Sequence, residues 1–178
     1  MTAASPAASP VTSAAASKLR SVQTAAALIV AVAGAGTLAG AWYFQLVVGL
    51  APCPLCLEQR IPYYVGVPIA LIAVICALGG RAPLARVALA LAGTLMAVAA
   101  ALAVYHAGVE WGFWAGPTAC SGSAPALSSG NLLESLQQAR VVRCDEAPWR
   151  LLGLSLAGYN ALIAAALTLV AFRGAVAR

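Results

Sequence analysis

Charge is what this sequence has least of. Asp, Glu, Lys and Arg make up 8% of its 178 residues, with only five acids and one histidine. A water-soluble domain carries about 25% charged residues, so the polar side chains needed to cover a soluble core are missing. The 62% hydrophobic content excludes a disordered polymer. Five cysteines are too few for a miniprotein held together by disulfides. What is abundant is apolar: the mean hydropathy is +0.91, and the solvent that suits such a chain is a bilayer.

Four stretches lack Asp, Glu, Lys and Arg and are strongly apolar, namely residues 21–57, 61–80, 87–109 and 151–172. Each can cross about 30 Å of hydrocarbon as helix. A fifth charge-free stretch, 111–133, is interrupted by Gly112, Gly116, Pro117, Gly122, Pro125 and Gly130 and reads as loop. The expected fold is an all-α membrane protein, a four-transmembrane-helix bundle. Its spans lie near 24–46, 61–80, 87–106 and 151–172, and its two external cysteine-bearing loops are 47–60 and 107–150. Residues 1–20, largely Ala, Ser, Thr and Pro, are expected as a disordered cytoplasmic tail ahead of a membrane domain over 21–178. A cleavable leader competes for the first span, since Lys18 and Arg20 precede an apolar run with small residues at Ala33 and Ala35. The run continues well past that point, which favours a retained span. Gly34, Gly36, Gly40, Gly93, Gly153 and Gly158 are expected to let neighbouring helices approach closely.

Basic residues near span ends are retained on the cytoplasmic side. Lys18, Arg20, Arg81, Arg86, Arg173 and Arg178 all fall on one face of this topology, with no acid among them. Arg60, Arg140, Arg143 and Arg150 fall on the other with all five acids, so the formal +5 divides into +6 inside and −1 outside. Both termini are then cytoplasmic, and the charge reports lipid contact and orientation, not a nucleic-acid footprint.

This topology places Cys53 and Cys56 in the first external loop and Cys120 and Cys144 in the second, with Cys76 alone inside a span. Outside the cytoplasm thiols are free to pair, and an even number of them fits two disulfides. Closing the loop between Cys120 and Cys144 would restrict the unfolded chain by about 3 to 4 kcal/mol, so a structural bridge is a reasonable reading there. Cys53 and Cys56 have only Pro54 and Leu55 between them. A ring that small adds little stability by chain entropy, and Cys-x-x-Cys is more often redox-active or metal-binding. A four-thiolate zinc site normally repeats the short spacing, which Cys120 and Cys144 do not.

A helix beginning near Cys56 would place that sulfur at a helix N-terminus, with Arg60 one turn on, and both would favour a thiolate. Alone, Arg60 reads equally as an interfacial arginine reaching from a span end. Pro62 would remove a hydrogen bond from such a helix and predicts a break. His106 closes the third span among Tyr105, Glu110, Trp111, Phe113 and Trp114, as an interfacial anchor or as a donor to a ligand at that depth. Asn131 and Glu134 resemble a capping pair for a short surface helix.

Pro52-Cys53-Pro54-Leu55-Cys56 with Arg60, the later Cys120 and Cys144, and Trp149 followed by Gly153-Leu154-Ser155 closely resemble the disulfide bond formation protein B (DsbB) family of bacterial inner membranes. The resemblance covers roughly residues 41–160. It implies a membrane thiol:disulfide oxidoreductase that reoxidises a soluble periplasmic dithiol oxidase of the DsbA type. The electrons would pass through two cysteine pairs to a membrane quinone, ubiquinone or menaquinone, which these residues do not distinguish. Carried onto this chain, Cys120 would form the mixed disulfide with the partner and Cys144 would be its pairing residue. Cys53 would exchange with that pair, and Cys56 would stand beside the quinone, with Arg60 and His106 as quinone-binding residues. No metal is implied. Tyr105 before His106, where some relatives carry an acid, is a departure, as are the long tail and the short segment between Cys120 and Cys144. Two other readings stay open: a non-catalytic membrane subunit with structural disulfides, and a quinone reductase of the vitamin K epoxide reductase type.

Overall fold

The computed structural model describes residues 10–117 and 143–177. In chain order these form α1 (Pro10–Leu46), the short α2 (Pro54–Glu58), α3 (Ile61–Leu78), α4 (Ala82–Glu110), a two-stranded hairpin of β1 (Arg150–Leu151) and β2 (Leu154–Ser155), and α5 (Leu156–Val176). Four helical stretches are long and apolar enough to cross a membrane: Ser13–Leu46, Pro54–Leu78, Ala82–Glu110 and Leu156–Val176. The protein is the four-span helical bundle that the charge-free stretches predict. α4 packs chiefly against α5 and α3, and α1 against α3, while the seam between α1 and α5 is thinner.

Two boundaries differ from expectation. α1 starts at Pro10, so it takes in the latter part of the tract expected as a disordered tail; alanine there favours helix once a turn is nucleated. α5 starts at Leu156, not at residue 151. The chain first turns back on itself at Leu152 and Gly153, whose φ values of 51° and 83° are the left-handed conformations of a two-residue hairpin. This pairs Arg150 with Ser155 and Leu151 with Leu154. Ser155 then caps α5, its hydroxyl oxygen accepting the Gly158 N–H at 3.1 Å. Cys120 and the helix expected near Asn131 and Glu134 lie outside the described residues.

The bundle is packed with small residues inside and large apolar ones outside. Ala31, Ala70, Ala92, Ala99, Ala164 and Ala171 are buried around Val30, Tyr63 and Met96, whereas Ile72, Ile75, Leu84, Val87, Leu169 and Val176 point outward. In lipid an outward Leu or Ile loses nothing, so cohesion comes from close backbone approach. Gly34 and Gly93 serve that purpose as expected: a Cβ would meet Val67 at 2.9 Å and Ala171 at 3.1 Å. Gly36 and Gly40 do not, since a Cβ on either finds nothing within 4 Å. The tightest interhelical approach of this kind is at Gly174, where a Cβ would stand 2.6 Å from the Ala26 Cβ. That atom is fixed to its backbone and cannot swing aside. Gly174→Ala is therefore expected to destabilise the bundle by about 1–3 kcal/mol, read as a lowered thermal midpoint in detergent.

The two ends of the bundle are chemically different. At one, Arg86 donates to the Ala177 carbonyl at 2.7 Å and Gln23 to the Ala82 carbonyl at 3.4 Å. Cys76 lies toward this end on α3 and is half-buried. The other end holds Cys53, Cys56 and Cys144.

Candidate active site

The local sequence around Cys53 builds a break between two helices. Cys53 is the N-cap of α2, with extended backbone, and its Sγ accepts the Cys56 N–H at 3.2 Å. Pro54 occupies the first helical position, where a missing N–H costs nothing. Pro62 stands at the second position of α3, still within the first turn where its N–H is not needed, so the chain ends α2 and starts again, which keeps Pro62 out of the interior of one continuous helix. The helix therefore begins two residues earlier than expected, and its cap is Cys53, not Cys56. Because α2 has only five residues, its dipole is short, and the two sulfurs polarise each other.

Both are free thiols with Sγ atoms 2.8 Å apart. Cys53 is 2% exposed and shares a buried cluster with Leu55, Val109 and Cys144. Cys144 is itself disulfide-bonded, and Arg143 grips Asp145 on its far side through contacts of 3.0 and 2.6 Å. The hydrogen bond with Cys56, followed by burial, pushes the Cys53 thiol above the ordinary thiol range. Cys56 has a different outlook. It lines a cavity of about 520 Å³ bounded by α1, the α2–α3 junction and the start of α5, and Arg60, Gln59, His106 and Asn160 share that wall. Gly36 and Gly40 line the same space, which is why nothing meets their missing Cβ atoms.

Arg60 is 8% exposed and held on three sides. It donates to Gln45 Oε1 at 2.7 Å and to the Ala41 carbonyl at 3.4 Å, and its guanidinium lies 5.5 Å from the Trp42 ring centroid. The arginine thus ties α1 to the α2–α3 junction and reaches the cavity at the same time. A chain of amides runs beside it. Tyr63 Oη donates to Asn160 Oδ1 at 2.7 Å, Asn160 Nδ2 to Gln59 Oε1 at 2.7 Å, and Gln59 Nε2 faces His106 Nδ1 at 2.7 Å. The other imidazole nitrogen, Nε2, is 3.7 Å from Cys53 Sγ and 3.8 Å from Glu110 Oε1. The backbone of Cys144 also lies within hydrogen-bonding reach of the ring.

The sequence-predicted residues Cys53, Cys56, Arg60, His106 and Cys144 are therefore at one end of the bundle, while Cys120 lies outside the described residues. Sequence reasoning passed over Gln45, Gln59, Tyr63 and Asn160. The available signal was the presence of amides within or beside long apolar runs, since a polar group at membrane depth must find a partner. Trp111, Phe113 and Trp114 are exposed at 55%, 71% and 44%, as an aromatic belt requires.

Cys53, Cys56 and His106 bring three metal-ligating atoms within 4.8 Å of one another. Two thiolates on a tetrahedral zinc, each about 2.3 Å from it, stand about 3.8 Å apart. The sulfurs here are at 2.8 Å, which suits a dithiol that closes to a disulfide. The cavity beside them is an apolar space with a guanidinium, an imidazole and the three amides of Gln45, Gln59 and Asn160 in its lining. That combination suits a flat apolar molecule bearing carbonyl acceptors.

No curated protein and no solved structure matches the chain. The family model for Disulfide bond formation protein DsbB matches residues 23–173, which takes in the second and third spans, most of the first and last, and the cysteine end, and the chain belongs to that family of membrane disulfide-forming oxidoreductases.

Proposed function

We propose that the protein reoxidises a soluble periplasmic dithiol oxidase of the DsbA type and passes the electrons to a membrane quinone. In this reading it lies in a bacterial inner membrane with both termini cytoplasmic and both cysteine loops periplasmic. The charge division between the two ends of the bundle supports that orientation.

The observation that carries the reading is the opposite outlook of two adjacent sulfurs. Cys53 is buried with Cys144, on the route to the second cysteine pair, while Cys56 lines the cavity beside Arg60 and His106. Cys120 would receive the partner's thiolate attack and pair with Cys144. Exchange would then move the electron pair to Cys53 and Cys56. A bound quinone supplies a two-electron, two-proton sink. Arg60 and His106 orient its carbonyl oxygens, and the apolar wall from α1 keeps water from competing with them. The opening of Cys56 onto a cavity that also meets Arg60 and His106 supports this over a non-catalytic subunit with four cysteines locked in structural bridges.

The test is oxidation of a prereduced periplasmic dithiol protein by the purified chain, with and without quinone, each external cysteine replaced in turn. Catalytic turnover that needs quinone and all four cysteines is expected; turnover indifferent to quinone would overturn the proposal. The cavity has its own test in Gly36→Leu, which projects a side chain into the cavity from a position where a Cβ meets nothing within 4 Å. It should raise the KM for quinone about tenfold or more, equivalent to at least about 1.4 kcal/mol, and leave thermal stability unchanged or raised.

A further inference from the structure

Among the described residues Glu110 is the only buried carboxylate, and the relay just described gives it no part. One of its oxygens, Oε2, accepts the Ser155 hydroxyl. That hydroxyl oxygen already accepts the Gly158 N–H, so its own hydrogen is committed to Glu110. The other oxygen, Oε1, faces His106 Nε2 at 3.8 Å. Nε2 in turn stands 3.7 Å from Cys53 Sγ. One imidazole nitrogen therefore sits between a thiol and a carboxylate.

The second nitrogen, Nδ1, is met by the Gln59 amide at 2.7 Å. Turning the Gln59 and Asn160 amides over together preserves every bond from Tyr63 to His106 and moves the imidazole hydrogen from Nε2 to Nδ1. In that arrangement Nε2 presents a lone pair to the Cys53 thiol. His106 also lines the cavity, whereas Cys53 is turned away from it into the cluster with Cys144. Cys56 also stands between Cys53 and the cavity, but it releases its own proton in the same step, which leaves this ring as the neighbour able to carry the Cys53 proton to the acceptor site.

We propose that Glu110, acting through His106, positions and charges an acid/base couple that takes the Cys53 proton each time the Cys53–Cys56 disulfide closes and returns one when it opens. The inference rests on the quinone-linked reading above. In the closing step the S–H bonds of Cys53 and Cys56 break and one S–S bond forms. Each sulfur gives up one electron, and the pair reduces the quinone. Both protons end on the quinol oxygens, that of Cys53 by way of Nε2. While Nε2 holds it the ring is a cation, and the Glu110 carboxylate is its counter-charge. The Cys53 thiol is held above the ordinary thiol range, so it does not give up its proton unaided at neutral pH. The other groups facing the couple are Arg150 on β1, toward Glu110, Cys56, and Arg60, whose charge acts on Cys56.

Glu110 touches no reacting atom, so it is a positioning residue, and the test uses a signature that a structural role would not give. Full-length protein is prereduced, and disulfide closure by a short-chain quinone is followed in a single turnover across pH. Glu110→Gln should slow closure about tenfold at neutral pH without changing the concentration dependence on quinone. The deficit should shrink as pH rises and hydroxide competes with the couple for the Cys53 proton, and Glu110→Asp should keep the wild-type profile. Ser155→Ala, which removes the hydroxyl that orients the carboxylate, should give a smaller deficit of the same pH dependence and serves if Glu110→Gln does not fold. A wild-type rate and profile in both variants, or a deficit equal at every pH, would overturn the proposal. Repeating the series with oxidised glutathione in place of quinone separates the two levels. Wild-type protein that closes with glutathione disulfide but never with quinone would refute the quinone reading alone. A pH signature absent with both oxidants would refute the role of Glu110.

Discussion

Replacing Cys56 by serine is expected to bring quinone-linked turnover down at least about a hundredfold, while Cys53 is left joined to a cysteine of the second pair. The two sulfurs differ in what they reach. Cys56 lines the cavity, and Cys53 lies in the cluster that holds Cys144. A serine hydroxyl at position 56 can neither accept an S–S bond nor give up an electron pair, so the path to the acceptor is cut at its last sulfur. Exchange between the second pair and Cys53 needs only thiolate attack on a disulfide sulfur, and it should stop at the mixed disulfide because no neighbour remains to resolve it. Peptide mapping without reductant checks this directly. Cys53→Ser should leave no such cross-link. A cross-link in Cys53→Ser and none in Cys56→Ser would mean that the roles of the two sulfurs are reversed. Serine is close to cysteine in size, and position 56 is only half-buried, so the fold should survive the change.

Arg60→Ala should lower the efficiency of quinone reduction about 10- to 100-fold, with thiol exchange at Cys120 changed no more than about threefold. Hydrogen bonds to a charged group contribute about 1.5–3 kcal/mol each, which corresponds to that range. The guanidinium is preorganised for the task by Gln45, the Ala41 carbonyl and the Trp42 ring. It cannot turn away from the cavity without breaking those contacts. Arg60→Lys keeps the charge but not the planar fork, so it should fall between wild type and alanine. Because the same contacts tie α1 to the α2–α3 junction, loss of structure is the competing explanation. Measuring the two half-reactions separately decides it: an equal fall in both would mean that Arg60 only holds the bundle together.

The spans were legible because each is a long run without charge, and a chain in lipid must satisfy its backbone within such runs. The Cys-x-x-Cys spacing points to redox chemistry because its ring is too small to serve as a stabilising bridge. The start of α2 was misplaced because the signals there conflict. Pro54 and Pro62 each favour a helix start, and the short α2 followed by a fresh start at α3 satisfies both. The late start of α5 was hidden because Leu152 adopts a left-handed conformation that leucine rarely takes. Gly36 and Gly40 were read as packing positions like Gly34 and Gly93, since a glycine that admits a neighbouring helix and one that lines a cavity look alike in sequence.

Composition and the placement of charge determined that this chain is a four-span membrane protein, and residue order determined that a dithiol stands at the edge of the lipid. Those properties are local, fixed by the cost of moving polar groups into hydrocarbon. Tertiary structure alone decided that Cys56 looks into the cavity and Cys53 away from it. It also decided that Gln59 and Asn160 join His106 to Tyr63, and that Glu110 meets His106 and Ser155. Most of these partners come from different helices. Their meeting depends on how each helix is rotated about its axis, and spans that are apolar on every side carry no periodic pattern to reveal that rotation.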